Sequence, residues 1–180
     1  MERLLYLDGG DYAGDMPEIL RIAVRGIIFI NGKLLLIEDK KNELKLPGGG
    51  LEDGETDIRA LVREVREETG CTVLTETVRP FGYIEEKRRS IYENKIWHQF
   101  SRLYFCEVAG ERGGTEYTEN EKKLGMRTVT RTVDEAIAAN RAVLDKMGEL
   151  AWLQREYRTL LLIKERMEKE AGGRGCHGGA

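Results

Sequence analysis

Residues 49–71 read GGLEDGETDIRALVREVREETGC, and they place three glutamates, Glu64, Glu67 and Glu68, within five positions. On a helix, side chains three and four residues apart are neighbours, so these carboxylates would lie side by side. Like charges at this spacing destabilise an isolated helix by roughly 0.2–0.5 kcal/mol per pair. Because helix stability gains nothing from this crowding, the stretch indicates a function that needs several carboxylates together.

The pattern around these acids predicts one amphipathic helix over residues 57–69. Thr56 is a suitable N-cap residue, and Gly70 is a suitable C-terminal stop. The aliphatic side chains of the segment fall on one face, which predicts packing against a sheet. The glutamates fall on one flank and the arginines mostly on the other, so the charges are largely sorted by sign. Simple helix stabilisation would interleave them.

Three carboxylates beside a glycine-rich loop are typical of a site for a hard divalent cation. Residues 44–50, LKLPGGG, end a short predicted strand in a loop whose glycines leave the backbone uncovered. Magnesium and manganese prefer oxygen ligands, and Mg²⁺ commonly takes substrate phosphates as further ligands. The alternative interpretation is a solvated helix face, which is the commoner role of Glu and Arg on a surface helix.

A longer spacing pattern favours the metal site over the solvated face. The chain resembles the Nudix hydrolases, because it matches the Nudix box, G-x5-E-x7-R-E-U-x-E-E-x-G-U with U aliphatic, at every fixed position. One aliphatic position holds Cys71, and cysteine packs like a small hydrophobic residue. The matched fixed residues are Gly49, Glu55, Arg63, Glu64, Glu67, Glu68 and Gly70.

The resemblance implies an α/β fold, an α/β/α sandwich in which a mixed β-sheet lies between helices and the box helix covers one face. It also implies metal-assisted attack of water on the pyrophosphate linkage of a nucleoside diphosphate joined to another group, X. Arg63 would hold a box glutamate in place, Glu55 would support the loop or reach the metals through water, and Glu64 is the candidate general base. The implied ligands of Mg²⁺ or Mn²⁺ are the Gly49 carbonyl, Glu64, Glu67 and Glu68.

A further acid is expected from a loop beyond the central strands, as in many members of the family that the chain resembles. The matching segment, YTENEKKLG at 117–125, offers Glu119 and Glu121. We predict that Glu121 binds a second metal or orients the water, because it lies closer to the next predicted strand. The alternative is that both residues are solvated loop acids, since charged loops are common.

The remaining sequence predicts a single domain over residues 1–170. Residues 22–30 and 33–38 flank Asn31-Gly32 and predict a hairpin, and further strands are predicted over 72–78, 81–86 and 96–108. Thr132 to Glu135 forms a capping box that opens a helix. A long C-terminal helix is predicted from about Asp145 to Glu170. The glycine-rich residues 171–180 are predicted to be disordered, which makes Cys176 and His177 poor candidates for a metal site.

Composition excludes several kinds of partner. The net charge is −3 with both signs abundant, so bulk electrostatics indicate neither nucleic acid nor a membrane. The apolar runs are far too short to span a bilayer, and the three cysteines lack metal-ligand spacing. We therefore expect a cytoplasmic enzyme acting on a nucleotide-derived small molecule. The long C-terminal helix offers a surface through which a homodimer could pair.

The sequence leaves the substrate open among nucleoside triphosphates, nucleotide sugars and dinucleotides. Aromatic residues on one predicted strand could stack a base, but core packing is the commoner role and is favoured here. Basic residues near the loop could contact phosphates, although solvated lysines are more common. The alternative function is a non-catalytic nucleotide sensor, which would need neither the carboxylates nor the arginine of the box. The residues concerned are Trp97, His98, Phe100, Tyr104, Lys40, Lys41 and Lys45.

Overall fold

The computed structural model describes residues 1–110, 113–148 and 150–174. Residues 173 and 174 are described by their backbone only. Strands and helices are interspersed along this part of the chain, which confirms the predicted α/β class. The elements are β1 (Arg3–Asp8), β2 (Glu18–Ile27), β3 (Phe29–Ile30), β4 (Lys33–Glu38), β5 (Leu44–Lys45), α1 (Asp57–Thr69), β6 (Val73–Arg89), β7 (Ile96–Val108), α2 (Glu119–Lys123), β8 (Arg127–Arg131), α3 (Val133–Met147) and α4 (Ala151–Arg174).

The described strands form two four-stranded sheets. The first has the order β1-β6-β7-β2 and is mixed, because β1 and β2 run parallel to their neighbours while β6 and β7 are antiparallel. In the second, β4 pairs antiparallel with β3, β5 and β8. The strand predicted in two pieces over 72–86 is continuous, with register shifts on either side of Arg79-Pro80. Proline lacks the N–H that a sheet ladder requires, which explains the irregularity.

The predicted hairpin is confirmed only at its tip. Phe29 pairs with Leu34 across a turn in which Asn31 and Gly32 have φ values of 49° and 76°. The earlier part of the predicted first arm belongs to β2, which pairs with β7 in the other sheet. Residues 23–28 are buried without alternation, as expected of a strand that is covered on both faces.

The apolar core confirms that helices cover both faces of the sheets. In β4, Leu34 and Leu36 belong to one apolar cluster, whereas Leu35 belongs to another. Alternate side chains of a strand point to opposite faces, so the two clusters lie on opposite sides of β4. Helix α1 packs in the cluster of Leu35, and α3 and α4 pack in the cluster of Leu34.

The box helix begins and ends as predicted, but the C-terminal helix does not. The Thr56 side chain accepts a hydrogen bond from the Arg59 N–H, and Gly70 ends α1 with φ 70°. Helix α3 ends at Met147 with Gly148, φ 78°, as its C-cap, so α4 begins at Ala151 and not near residue 145. It continues to Arg174, four residues into the predicted disordered tail. The remaining residues, 175–180, lie outside the described part of the chain.

Within the described residues, no helix has both the length and the apolar character needed to span a membrane.

Candidate active site

Arg63, near the middle of α1, contacts the loop and two of the box glutamates at once. Its Nε and Nη2 donate to the Glu55 carboxylate at 3.0 and 2.8 Å, and Nη2 also donates to the Gly50 carbonyl at 3.1 Å. Its Nη1 donates to Glu64 Oε1 at 2.8 Å and to Glu67 Oε2 at 3.4 Å. The hydrogen bonds that Arg63 donates to Glu55 and then to Glu64 raise the pKa of Arg63, so the guanidinium stays charged.

Glu68 connects α1 to the glycine loop from a buried position. Its side chain is 3% exposed, and its two oxygens accept from Lys45 Nζ at 2.8 Å and from the Gly48 N–H at 2.7 Å. Lys45 is therefore not the solvated lysine expected from the sequence, because the fold brings it onto a buried carboxylate. Lys40 and Lys41 are exposed, as expected.

Glu64 packs directly against the backbone of the glycine loop. A Cβ at Gly49 would overlap the Glu64 carboxylate, so the absence of a side chain there permits the contact. Burial raises the pKa of Glu64, and it does so against the lowering effect of Arg63. A carboxylate with a raised pKa is a stronger proton acceptor, which suits a general base. The Gly49 carbonyl accepts from the Val24 N–H at 2.9 Å and retains a second lone pair.

Arg25, which was not predicted from the sequence, binds the backbone of the same loop. It is 7% exposed in β2, and its Nη1 donates to the carbonyls of Leu46, at 3.3 Å, and Gly48. The signal that could have identified it is a charged residue inside the apolar run IAVRGII at 22–28. A buried charge needs polar partners, and here the loop backbone supplies them.

The predicted loop acid Glu121 lies in a helix cap and makes no contact with a box glutamate among the described residues. Its Oε2 accepts from the Thr118 N–H and hydroxyl, each at 2.8 Å, and completes a capping box for α2. Glu119 is 81% exposed and pairs with Lys122. The geometry therefore gives no support to direct participation of Glu121 in chemistry. The T-x-x-E spacing at residues 118–121 is typical of a capping box, so the sequence already indicated this role for Glu121.

The segment before α2 nevertheless contacts the box helix through neutral groups. The Tyr117 hydroxyl donates to the Glu68 carbonyl at 2.7 Å, and the Thr128 hydroxyl donates to the same oxygen at 3.0 Å. The last turn of a helix leaves its carbonyls without helical partners, so these two donors satisfy one of them. The loop thus fixes the C-terminal end of α1.

The aromatic residues of β7 have different surroundings. Tyr104 is buried and donates to Asp57 at 2.5 Å, and Phe100 packs against His98 and Tyr83. His98 lies between the carboxylates of Glu18 and Glu85, as a structural histidine. Trp97 is partly buried and lines a cavity of about 540 Å³ next to Lys45.

The box residues suit a hard cation in the kind of ligand that they offer. Carboxylates and a backbone carbonyl are the ligands that Mg²⁺ and similar ions prefer, and the missing side chain at Gly49 brings the Glu64 carboxylate against the loop backbone. Within the described part of the chain, however, no three or more His, Cys, Asp and Glu side chains are gathered as a metal site. Each box carboxylate instead contacts a basic side chain, Arg63 or Lys45. A divalent ion would have to replace these partners.

Comparison with known sequences identifies the family. The NUDIX domain profile matches residues 20–145. The nucleoside triphosphatase NudI of Enterobacter sp. is 31% identical over 130 residues, which cover 68% of this chain and 90% of that protein. The ADP-ribose pyrophosphatase of Methanocaldococcus jannaschii is 53% identical over 53 residues, which cover 27% of this chain and 31% of that protein. The putative ADP-ribose pyrophosphatase YjhB of Bacillus subtilis is 30% identical over 98 residues, 54% of this chain and 46% of that protein.

The chain thus spans less than half the length of these two pyrophosphatases. Solved structures show the same fold. A NUDIX hydrolase from Nitrosomonas europaea superposes with a TM-score of 0.55 at 23% identity, covering 86% of this chain and 90% of that one. An ADP compounds hydrolase superposes with a TM-score of 0.52 at 17% identity, covering 83% of this chain and 74% of that one. Because the profile covers more than half of the chain and NudI aligns along most of its own length, this protein belongs to the NUDIX family.

Proposed function

We propose that this protein hydrolyses the pyrophosphate linkage of a nucleoside diphosphate joined to a group X, as in a nucleoside triphosphate, a nucleotide sugar or a dinucleotide. The observation that carries the proposal is the complete box, in which Arg63 contacts the loop and two glutamates at the same time. The names of the matched relatives, ADP-ribose pyrophosphatase and nucleoside triphosphatase, describe enzymes acting on this chemical class.

We infer that Mg²⁺ or Mn²⁺ is held by the Gly49 carbonyl, Glu64, Glu67 and Glu68. Members of the family generally use divalent metals. Such an ion, when bound, neutralises pyrophosphate charge and lowers the pKa of a bound water. Glu67 is the most accessible of the three carboxylates, with 38% of its side chain exposed, so it offers the easiest approach.

The residues of the chain itself position the reacting groups. In the proposal, Glu64 accepts a proton from the attacking water, a role supported by the effect of burial on its pKa. Arg63 orients Glu64 and Glu67, and Glu55 fixes Arg63 to the loop. Glu121 is a positioning residue, because it caps α2 next to Tyr117, which contacts the end of α1.

The proposed activity is tested by supplying nucleoside diphosphate and triphosphate derivatives with Mg²⁺ or Mn²⁺ and following phosphate, pyrophosphate and nucleoside monophosphate release. We expect at least one derivative to be hydrolysed, and we expect Glu67→Gln to lose that activity because it removes a metal-binding charge. Glu119→Gln, which neutralises an acid outside the box, is the matched control and should retain the parent rate.

Absence of product from every derivative would contradict the proposal. The alternative function, a non-catalytic nucleotide sensor, predicts binding without product in the same screen. The intact set of box carboxylates favours the enzyme, since a binding protein does not need them.

A further inference from the structure

The cavity of about 540 Å³ adjoins the glycine loop of the box. Its wall includes Lys45, whose ammonium contacts Glu68, and Arg25, whose guanidinium contacts the Gly48 carbonyl. The volume lies within the roughly 300–1,000 Å³ typical of small-molecule sites. A ligand in this cavity would therefore lie next to Lys45, which contacts the box glutamate Glu68.

Two buried nitrogens on this wall have no hydrogen-bond partner. They are Arg25 Nε and Trp97 Nε1. Among the residues that the structure describes, no other buried side-chain nitrogen or oxygen lacks a hydrogen-bond partner. Buried donors are normally paired, because leaving one without an acceptor sacrifices its hydration without replacement. Both residues line the same cavity, so one ligand with acceptor atoms could satisfy both.

The cavity also contains two guanidinium groups, whose charges interact at longer range with the Glu64 carboxylate. Arg21 lines it and contacts the Trp97 ring, with its guanidinium carbon 5.6 Å from the ring centroid. In the described part of the chain, neither Arg21 nor Arg25 forms an ion pair. By contrast, Arg88 and Arg155 on the same wall bind Glu86 at 2.7 and 2.5 Å. Two guanidinium groups are thus left to bind an anion.

Burial and the charge of Arg25 support the same conclusion. Burial lowers the pKa of Arg21, the charges of Arg25 and then Arg155 lower it further, and the charge of Glu64 opposes them. The fold therefore holds like charges near one another, which an anionic ligand would relieve.

Besides polar and charged residues, which include Asp39, Glu43 and Glu156, the wall contains a set of apolar and flat side chains. Such a surface suits the ring of a base, which can be covered on its face by aromatic or aliphatic groups. The residues that supply it include Ile37, Leu124, Met126, Trp152 and Leu153.

We propose that this cavity binds the nucleoside monophosphate portion of the substrate, with Arg21 and Arg25 on its phosphate and the base on the apolar wall. This inference rests on the proposed function for the identity of the substrate. Binding of a ligand that joins an anion to an apolar ring can be measured without turnover.

The two tryptophans of the chain, Trp97 and Trp152, both line the cavity, so intrinsic fluorescence reports its occupancy. The protein is titrated with AMP, adenosine and ribose 5-phosphate in EDTA. We expect saturable binding of AMP, and affinities at least roughly tenfold weaker for the other two, since each lacks one half of the recognised group.

Arg21→Gln tests the anion site. It should weaken AMP binding by roughly tenfold or more, because it removes a hydrogen bond to a charged group. Arg21→Lys retains the charge and should bind AMP more tightly than Arg21→Gln. The matched control is Arg79→Gln, which changes another arginine without an ion pair in the described residues, on the wall of a separate cavity of about 1010 Å³. It should bind AMP like the parent.

Equal AMP affinity in the parent and in folded Arg21→Gln, checked by circular dichroism, would overturn the proposal. Adenosine binding as tightly as AMP would overturn the anion site, and ribose 5-phosphate binding as tightly would overturn the base site. Expected AMP binding without hydrolysis of any derivative would contradict the proposed function alone. Hydrolysis with an unchanged KM in Arg21→Gln would contradict this inference alone.

Discussion

Three of the box glutamates, those on α1, have different surroundings, and the differences separate their effects on folding from their effects on chemistry. Glu68 is 3% exposed and accepts two hydrogen bonds, whereas Glu67 is 38% exposed and meets Arg63 at 3.4 Å. The Glu64 side chain is 16% exposed, between the values for Glu68 and Glu67. Glu68 therefore also holds the loop in place, while Glu67 has little structural duty.

Replacing each of these two glutamates by glutamine separates the two effects. In Glu68→Gln, an amide nitrogen replaces an oxygen that faces either Lys45 or the Gly48 N–H, so two donors oppose each other. We expect the free energy of unfolding to fall by about 1–3 kcal/mol. Glu67→Gln should change it by less than about 0.5 kcal/mol, as is usual for surface substitutions. Urea denaturation measures both, and equal stability of the two variants would contradict the assignment.

Neighbouring glycines of the loop allow a matched comparison. In Gly49→Ala the new Cβ would overlap the Glu64 carboxylate, so Glu64 must move and we expect kcat to fall at least roughly tenfold with the fold retained. In Gly48→Ala the Cβ would overlap the Val24 carbonyl at φ 137°, so folding itself should fail. Activity assays and thermal melting check both, and a Gly49→Ala variant with parent kcat would show that Glu64 need not pack on the loop.

At the scale of elements, the short helix α2 carries the loop that contacts the end of the box helix. Its capping box joins Thr118 to Glu121, and Leu124 at its end accepts from the Lys40 N–H at 3.0 Å. The Glu121 carboxylate thus caps the helix to which it belongs. Its effect on the site passes through Tyr117, which binds the Glu68 carbonyl.

Two substitutions of Glu121 distinguish a cap from a catalytic acid. Glu121→Gln keeps an oxygen that can accept from Thr118, so we expect near-parent turnover. Glu121→Ala removes the acceptor, and α2 should loosen with a loss of turnover. Loss of turnover in Glu121→Gln at an unchanged melting temperature would instead support the direct role predicted from the sequence.

At the scale of the whole molecule, Asn140 connects the helical layer on one face to the start of the box loop. It is fully buried in α3, where its Oδ1 accepts from the Leu44 N–H and its Nδ2 donates to the Leu44 carbonyl, each at 2.8 Å. Strand β5, which contains Leu44, leads directly into the glycine loop. The position of the loop therefore depends on the packing of α3.

Asn140→Ala should leave both backbone groups of Leu44 without these partners. We expect the free energy of unfolding to fall by about 2–6 kcal/mol, since each of the two buried unsatisfied groups costs about 1–3 kcal/mol. Asn140→Asp keeps an acceptor for the Leu44 N–H but places a buried carboxylate oxygen against the Leu44 carbonyl, so it should be no more stable than Asn140→Ala. Denaturation curves measure the loss, and parent stability in Asn140→Ala would rule out the connection.

The homodimer expected from the long C-terminal helix is tested by light scattering. Residues 164–170 of α4 carry exposed ion pairs at i,i+4 spacing, including Arg166 with Glu170 and Lys169 with Glu165. Such a surface is typical of a solvated helix face, whereas homodimer interfaces are more apolar. We therefore expect a particle near the chain mass of 20.5 kDa. A mass of about twice this value would support pairing.

Features that depend on short stretches of chain were predictable from the sequence. The bounds of the box helix follow from Thr56 and Gly70, and the start of α3 follows from the capping box at Thr132, because helix caps involve groups within about four residues. The box spacing also identified the family and the loop that accompanies the helix.

The arrangement of charge around the site was decided only by the tertiary structure. Lys45 reaches Glu68 across 23 positions, Asn140 reaches Leu44 across 96, and Arg25 lies beneath a loop that comes from another part of the chain. No local pattern reveals such pairs, because they form when β2, β5 and the helices pack together. The sequence by itself determined the box helix and its family, and packing determined which basic side chains meet its carboxylates.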